Sequence, residues 1–520
     1  MTEATDIPSH GPASGLDWIA SVADRTPENM AQIDIASGRR FTYAQMNRRV
    51  GGLAAHLRSL GIGKADRVAY LMMNSSDVFE VIFACWRIGA VAVALNWRLT
   101  GKELAFIAED AGPKVLIHDR ELGELAGGLN NAPSLKHRIE TASDGSESGY
   151  ERAISDAEPL LTPTEPPLLS DICMLMYSSG TTGHPKGVVI THQMQLLNAW
   201  GTIADTGIQQ DSTALCFMPL FHIAGVNGVI GPCFLAGACV AVVRIFDPGQ
   251  VLQLIDDPEL GVTHFVAVPA IYQAMLAHPQ TAKTDFSRIS ACFVGASSVP
   301  AALVKAWKGL GLKLREGYGL TESAGAGISM PGHLAGETTG VSGKPSHGFQ
   351  LRIVDDEGKG ALVGELWMRG PCVTPGYWNR PEANRESFVD DWFRTGDIVS
   401  RDDDGFYKIE DRVKDMYISG GENVYPAEVE GAIYALDEIA EVAIIGVPDE
   451  KWGEVGCAIA ALKPDAALSI DSLRAALEIK LARYKLPARL ELVDALPRTA
   501  SGKVKKNELR ELFVGEEMSR

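Results

Sequence analysis

The chain lacks an excess of positive charge, a pattern of paired cysteines and any long uninterrupted apolar run. Each absence removes a class of protein. Its 520 residues carry 48 Lys and Arg against 66 Asp and Glu, a formal charge of −18, so no general cationic face is offered to nucleic acid or an anionic membrane. An anionic substrate must be held by a local arrangement of donors instead. The eight cysteines (Cys85, Cys173, Cys216, Cys233, Cys239, Cys292, Cys372 and Cys457) stand among apolar neighbours without a CxxC pair, which argues against a disulfide framework and a zinc site. They are expected to be reduced core residues. The apolar stretch Val81–Leu95 is broken by Arg87, and Gly228–Val243 is rich in glycine, so neither supplies a membrane-spanning helix. Met1–Leu16 is polar, with Asp6, Pro8 and His10 where a secretory leader needs a basic start and an apolar run; a cytoplasmic protein is expected.

What is present is enough apolar material, 46% of residues, to organise more than one core. Tyr43–Leu60 reads as a helix, Arg67–Met72 as a strand and Ser76–Ala90 as a helix, an alternation that suggests βα units around a largely parallel sheet. The Pro-rich segment Glu158–Pro167 reads as a connector before the apolar strand Asp171–Tyr177. From Val341 to Ile398 short strands with frequent Gly and Pro suggest a β-rich subdomain. A boundary near Lys414 leaves a C-terminal unit of plausible domain size. The expected fold is therefore α/β: a large N-terminal domain of βα-layered sheets with a β-rich subdomain, residues 1–413, and a small α+β C-terminal domain, residues 414–520.

The segment Ser178-Ser179-Gly180-Thr181-Thr182-Gly183-His184-Pro185-Lys186-Gly187 follows a strand and gathers glycines, hydroxyls and one lysine in a short turn. Glycines let backbone N–H groups approach phosphate oxygens, hydroxyls add donors, and the lysine adds charge. It departs from GxxxxGK[ST], because Pro185 precedes the lysine and no Ser or Thr follows it. A solvated Gly/Ser/Thr turn is the plainer reading of the segment taken by itself.

In context the segment resembles the phosphate-loop signature of the adenylate-forming superfamily of acyl-CoA synthetases, luciferases and peptide-synthetase adenylation domains. Companion motifs follow in the family's order: Pro219-Leu220-Phe221-His222, Gly317-Tyr318-Gly319-Leu320-Thr321-Glu322, Gly364-Glu365-Leu366, Trp392-Phe393-Arg394-Thr395-Gly396-Asp397, Asp411-Arg412-Val413-Lys414-Asp415 and Pro497-Arg498-Thr499-Ala500-Ser501-Gly502-Lys503. The resemblance implies ATP and coenzyme A as co-substrates, Mg²⁺ as cofactor and a two-step acid–CoA ligation through an acyl-adenylate. A carboxylic acid is the remaining partner, and a homodimer is an assembly left open.

Residue roles follow from the same matches. Ser178 to Gly183 and Lys186 would hold phosphates, with Thr182 among the catalytic residues. Tyr318, between Gly317 and Gly319, would stack on adenine; as a lone residue it reads as an ordinary buried tyrosine. Thr321 would lie near the phosphates and Glu322 would hold Mg²⁺. Asp397 and Arg412 would bind the ribose, although turn chemistry and a surface ion pair explain them equally well in isolation. His222, by default a satisfied core histidine in a strand-like segment, would sit between the acyl pocket and the phosphate loop. Lys503, otherwise part of a cationic tail with Lys505, Lys506 and Arg510, matches the catalytic lysine. Lys414 matches the hinge about which a mobile C-terminal domain turns. Gly420, Gly421 and Trp452 match positions that admit and pack pantetheine.

The acid is expected to meet His222, Ile223, Gly225, Ala324 and Gly325. These small or apolar residues, with no Arg or Lys among them, disfavour a second carboxylate. A medium- or long-chain fatty acid is expected, hence a place in fatty acid metabolism. An aryl acid such as a hydroxycinnamate or benzoate, or adenylation without CoA, stand as alternatives. Ile470-Asp471-Ser472-Leu473 resembles a carrier-domain serine motif but lacks the preceding glycines, and Asp471 is read as a helix N-cap.

Overall fold

The computed structural model describes residues 17–514 except 131, 164, 179–184, 298, 356, 413–414, 420–421, 450, 479 and 499–502. Six strands form one sheet in the order His137–Thr141, Val115–Asp119, Arg67–Leu71, Val91–Ala94, Ile172–Ser178, Lys186–Thr191. All neighbours are parallel except the last pair, which is antiparallel. A nine-stranded sheet has the parallel core Leu314–Gly319, Ala291–Gly295, His264–Ala267, Thr213–Cys216, Cys239–Val242 and Met30–Asp34. Parallel strands buried on both faces read as continuous Val/Ala/Ile/Leu runs, which is why these segments show no alternation.

The largest core lies between the two sheets and is filled by helices that include Tyr43–Ser59, Ser76–Arg87 and His192–Thr206. Every residue of Ser76–Arg87 is buried, so the arginine that interrupts the apolar run is an interior residue. Its guanidinium is paired with Asp17 at 2.6 Å and donates to Asn47 and to the Leu160 carbonyl. Asp77 and Glu80 of the same helix face Arg39 and Arg49 at 2.9 and 2.7 Å. An interior charge requires this pairing, since an isolated one would neutralise or unfold its surroundings. Two further cores cover the outer faces of the sheets.

The β-rich expectation for 341–398 corresponds to an antiparallel sheet of Gln350–Val354, Val363–Arg369, Trp392–Arg401, Phe388–Val389 and Tyr407–Arg412. The C-terminal region is α+β, a five-stranded sheet built around the hairpin Ile439–Asp449 and Gly453–Leu462 with helices Pro426–Ile433, Ile470–Leu477 and Lys506–Val514. Two local expectations change. The helix at 470 is capped by Ser469, whose hydroxyl accepts from the Ser472 N–H, and Asp471 is in its first turn. His222 is in no strand: it is the N-cap position of the short helix Ile223–Asn227, reached through a turn in which its N–H donates to the Pro219 carbonyl. The eight cysteines are free and buried. Among the described residues no helix is long and apolar enough to cross a membrane.

Candidate active site

A cavity of about 1480 Å³ opens beyond the carboxyl ends of the parallel strands and is closed on one side by the C-terminal domain. That is where open α/β sheets bind ligands, because strand ends and the loops after them diverge there. Of the phosphate-loop expectations, Ser179, Gly180, Thr181, Thr182 and Gly183 lie outside the described residues. The ends of that loop are fixed: Ser178 and Lys186 are direct antiparallel partners and both line the cavity. The Lys186 ammonium stands 5.2 Å from the centre of the Tyr377 ring, and the Tyr377 hydroxyl donates to Glu322 at 2.9 Å. Lysine, ring and carboxylate thus form one wall.

Gly317, Tyr318 and Gly319 end the strand Leu314–Gly319, and Thr321 and Glu322 form the 3₁₀ turn after it. The backbone here is packed against backbone. A Cβ at Gly319 would fall 2.2 Å from the Gly325 carbonyl oxygen, and one at Gly295 would fall 2.3 Å from that of Gly317. Only glycine fits either place. The Tyr318 hydroxyl donates to Asp397, which anchors the ring by its edge. Asp397 and Arg412 face each other across neighbouring antiparallel strands, with guanidinium Nε and carboxylate 2.9 Å apart. Asp397 is 2% exposed, whereas Arg412 reaches the cavity.

Of the residues expected to meet the acid, His222, Ile223 and Gly325 line the cavity, with Ala224 and Ala326 beside them. Gly225 and Ala324 pack behind this wall. A Cβ at Gly225 would strike the Pro219 carbonyl, and the Ala324 carbonyl accepts from the Asn227 side chain at 3.0 Å. Lys503 enters the same cavity from the C-terminal domain, together with Arg498 and Lys505. His222 Nε2 is buried with no hydrogen-bond partner among the described residues. Burial pushes its pKa down to about 4, and the charges of Lys503 and Arg98 push in the same direction. The ring is therefore neutral at physiological pH, and because the folded site refuses a proton that the unfolded chain takes up, stability at this site is lost as pH falls from 6.5 to about 4. A pH–rate profile of the adenylation step is expected to carry no His222 ionisation between about pH 5.5 and 8. If His222→Ala removes an inflection in that range, this assignment is wrong.

Several lining residues had no signal in the sequence. Arg98, on the loop after Val91–Ala94, holds its guanidinium 4.9 Å from the Trp97 ring centre and 5.9 Å from that of Phe221. Tyr377 lies in a segment that pairs with Val188 and donates through Trp378 N–H to the Gly187 carbonyl. Both depend on pairings remote in sequence. Trp452, by contrast, stands outside the cavity, 49% exposed, with the Lys451 ammonium over its ring. Lys414, Gly420 and Gly421 lie outside the described residues.

Residues 19–378 match the AMP-binding enzyme family, and residues 428–503 match the AMP-binding enzyme C-terminal domain. Feruloyl-CoA synthase of an Amycolatopsis species is 40% identical over 92% of this chain and 94% of its own. The long-chain-fatty-acid–CoA ligase FadD13 of Mycobacterium tuberculosis is 36% identical over 94% and 96%. The ATP-bound crystal structure of MatB from Rhodopseudomonas palustris superposes with a TM-score of 0.89 at 28% identity, covering 96% of this chain and 99% of that one. A match extending through both domains, on a fold whose strand ends already gather a cation-lined cavity, leaves one conclusion: the chain belongs to the AMP-binding enzyme family and is an ATP-dependent, AMP-forming acid–CoA ligase.

Proposed function

We propose that the protein joins a monocarboxylic acid to coenzyme A in two steps at this cavity. The carboxylate oxygen attacks the α-phosphorus of ATP and expels pyrophosphate; the CoA thiol then attacks the carbonyl of the mixed anhydride and expels AMP. The observation that carries this reading is the convergence of Lys503 and His222, from separate domains, on a cavity that also contains Tyr318, Glu322 and Arg412. Lys503 bridges the acid carboxylate and the α-phosphate, where negative charge shifts in the transition state. Lys186 and the loop 178–183 receive the β- and γ-phosphates, Tyr318 stacks on adenine with Thr321 beside the phosphates, and Asp397 with Arg412 takes the ribose.

No group of three or more His, Cys, Asp or Glu that could hold a metal occurs among the described residues. A single carboxylate, Glu322, suits Mg²⁺, which keeps most of its shell for water and substrate phosphates. Bound there with ATP, the ion would neutralise phosphate charge. For the second step the domain following residue 413 turns about Lys414, withdraws Lys503 and brings Gly420, Gly421 and Trp452 to the pantetheine. The exposed position of Trp452 agrees with a residue that has yet to meet its partner. The acid has an apolar body; the relatives named above are a feruloyl-CoA synthase and a long-chain-fatty-acid–CoA ligase. Purified protein given ATP, Mg²⁺, CoA and a panel of aliphatic and aromatic acids is expected to release pyrophosphate and yield a thioester detectable by mass. AMP and pyrophosphate without thioester would sink the CoA half of the proposal.

A further inference from the structure

Asp411 stands shortly before the hinge position, in the strand Tyr407–Arg412, where it is paired with Ile398 of Trp392–Arg401. That pairing fixes its backbone to the large domain. Its carboxylate is buried and nevertheless reaches the C-terminal domain: one oxygen accepts from the Ala427 N–H at 2.8 Å, while the other accepts from the Arg412 N–H at 2.7 Å. Ala427 is the second residue of the helix Pro426–Ile433, so its N–H is one of those that a helix leaves without an internal partner. The N-cap position of that helix is held by Tyr425, which lacks the short side-chain oxygen that Ser, Thr, Asn or Asp would offer. Asp411 supplies a cap from across the domain boundary, and its charge meets the positive end of the helix.

Lys506 completes the junction. Its ammonium lies 2.8 Å from Glu430 of the same helix, and its charge also acts on Asp411. Burial pushes the Asp411 pKa up to about 6, against the opposing pull of Lys506 and of the Ala427 N–H. Lys506 opens the helix Lys506–Val514 directly after the loop that carries Lys503. The base of that loop is closed by the Lys505 N–H, which donates to the Pro497 carbonyl at 2.8 Å, and by the pairing of Arg498 with Val504. Holding Lys506 therefore holds Lys503.

The neighbouring ion pair behaves differently. Arg510 meets Asp415 at 2.9 Å, but Asp415 follows the hinge position and travels with the C-terminal domain, so that pair is indifferent to a turn about residue 414. Asp411 stays behind on its strand while Ala427 and Lys506 leave. Resting on the reading in which the domain turns between the two half-reactions, we propose that Asp411 is a positioning residue for Lys503, whose contacts across the boundary favour the adenylating arrangement and are given up for thioester formation. A group that interacts with one arrangement and not the other shifts the balance between them by that difference.

The test measures each half-reaction by single turnover at about pH 8, where the Asp411 carboxylate is ionised, in the parent enzyme, Asp411→Ala, Asp411→Asn and Lys503→Ala. Asp411→Ala is expected to slow acid-dependent pyrophosphate release about tenfold, as loss of a charged acceptor from one of two arrangements implies. Thioester formation from supplied acyl-adenylate is expected to stay within about twofold of the parent or to become faster, a split that general loss of structure would not produce. Asp411→Asn keeps an acceptor for the Ala427 N–H but loses the charge facing Lys506, so it is expected to fall between the two. If the alanine variant does not fold, the same split in Asp411→Asn decides. Equal losses in both halves, or parent-like rates in both, overturn the inference. Lys503→Ala separates it from the reading beneath: equal losses there overturn the two-arrangement reading and the inference together, whereas a split there with none at Asp411 overturns the inference alone.

Discussion

Replacing Lys503 by alanine is expected to slow acid-dependent pyrophosphate release about 10²–10³-fold, the usual cost of deleting one preorganised charge-stabilising donor. Thioester formation from supplied acyl-adenylate is expected to stay within a few-fold of the parent. The asymmetry follows from where the side chain lies. Lys503 comes from the C-terminal domain and reaches the wall that holds His222, the place where acid and α-phosphate would meet. Once the mixed anhydride exists, the pentavalent phosphorus that needs the cation has passed. Single-turnover measurement of each half separately decides the matter. Equal losses in both halves would mean that Lys503 supports the site in general and that one domain arrangement serves both steps.

The second large effect is expected at Asp397. Asp397→Ala should raise the KM for ATP by about 10- to 100-fold, because each hydrogen bond from a ribose hydroxyl to a charged acceptor contributes about 1.5–3 kcal/mol. Part of the damage is internal. The carboxylate holds both the Tyr318 hydroxyl and the Arg412 guanidinium, so its removal frees the ring proposed to stack on adenine. Solvent reaches Arg412, whose side chain is 40% exposed, so the accompanying stability loss should stay near about 1–2 kcal/mol. Thermal melts with and without ATP separate the two effects. A variant that melts like the parent, responds to ATP like the parent and keeps its KM would remove Asp397 from the nucleotide site.

The sequence offers short motifs for the residues proposed to meet the nucleotide and few for the rest of the cavity, for a physical reason. Asp397, Arg412, Tyr318 and Glu322 lie in short motifs whose residue types suit phosphate, ribose and purine before any fold is known. What the motifs do not contain is register: that Asp397 and Arg412 are opposite one another, or that Tyr318 is tied to Asp397, depends on strand pairing. Another part of the cavity lining comes from Asn198, Gly201, Thr202 and Asp205 with Ile223, Phe293 and His347, which no local pattern links. A helix stripe of Asn, Gly, Thr and Asp reads as a solvated face until a segment some 140 residues later is laid against it. The fatty-acid expectation rested on small residues near His222 alone. Similarly, periodicity placed the helix at 76 correctly but could not tell that both sheets bury it, which makes Arg87, the break in the apolar run, an interior anchor.

The two bare-backbone contacts, Gly295 against Gly317 and Gly319 against Gly325, divide the enzyme into parts that tolerate change differently. A library built to redirect the enzyme to new acids can vary Ala224, Thr202, Asp205, Ala326 and His347, which line the cavity. The same library extended to 295 or 319 would force one peptide plane off another on either side of Tyr318, the ring proposed to stack on adenine. Retargeting the acid and preserving ATP use are thereby separable engineering problems, with the boundary between them drawn by glycine.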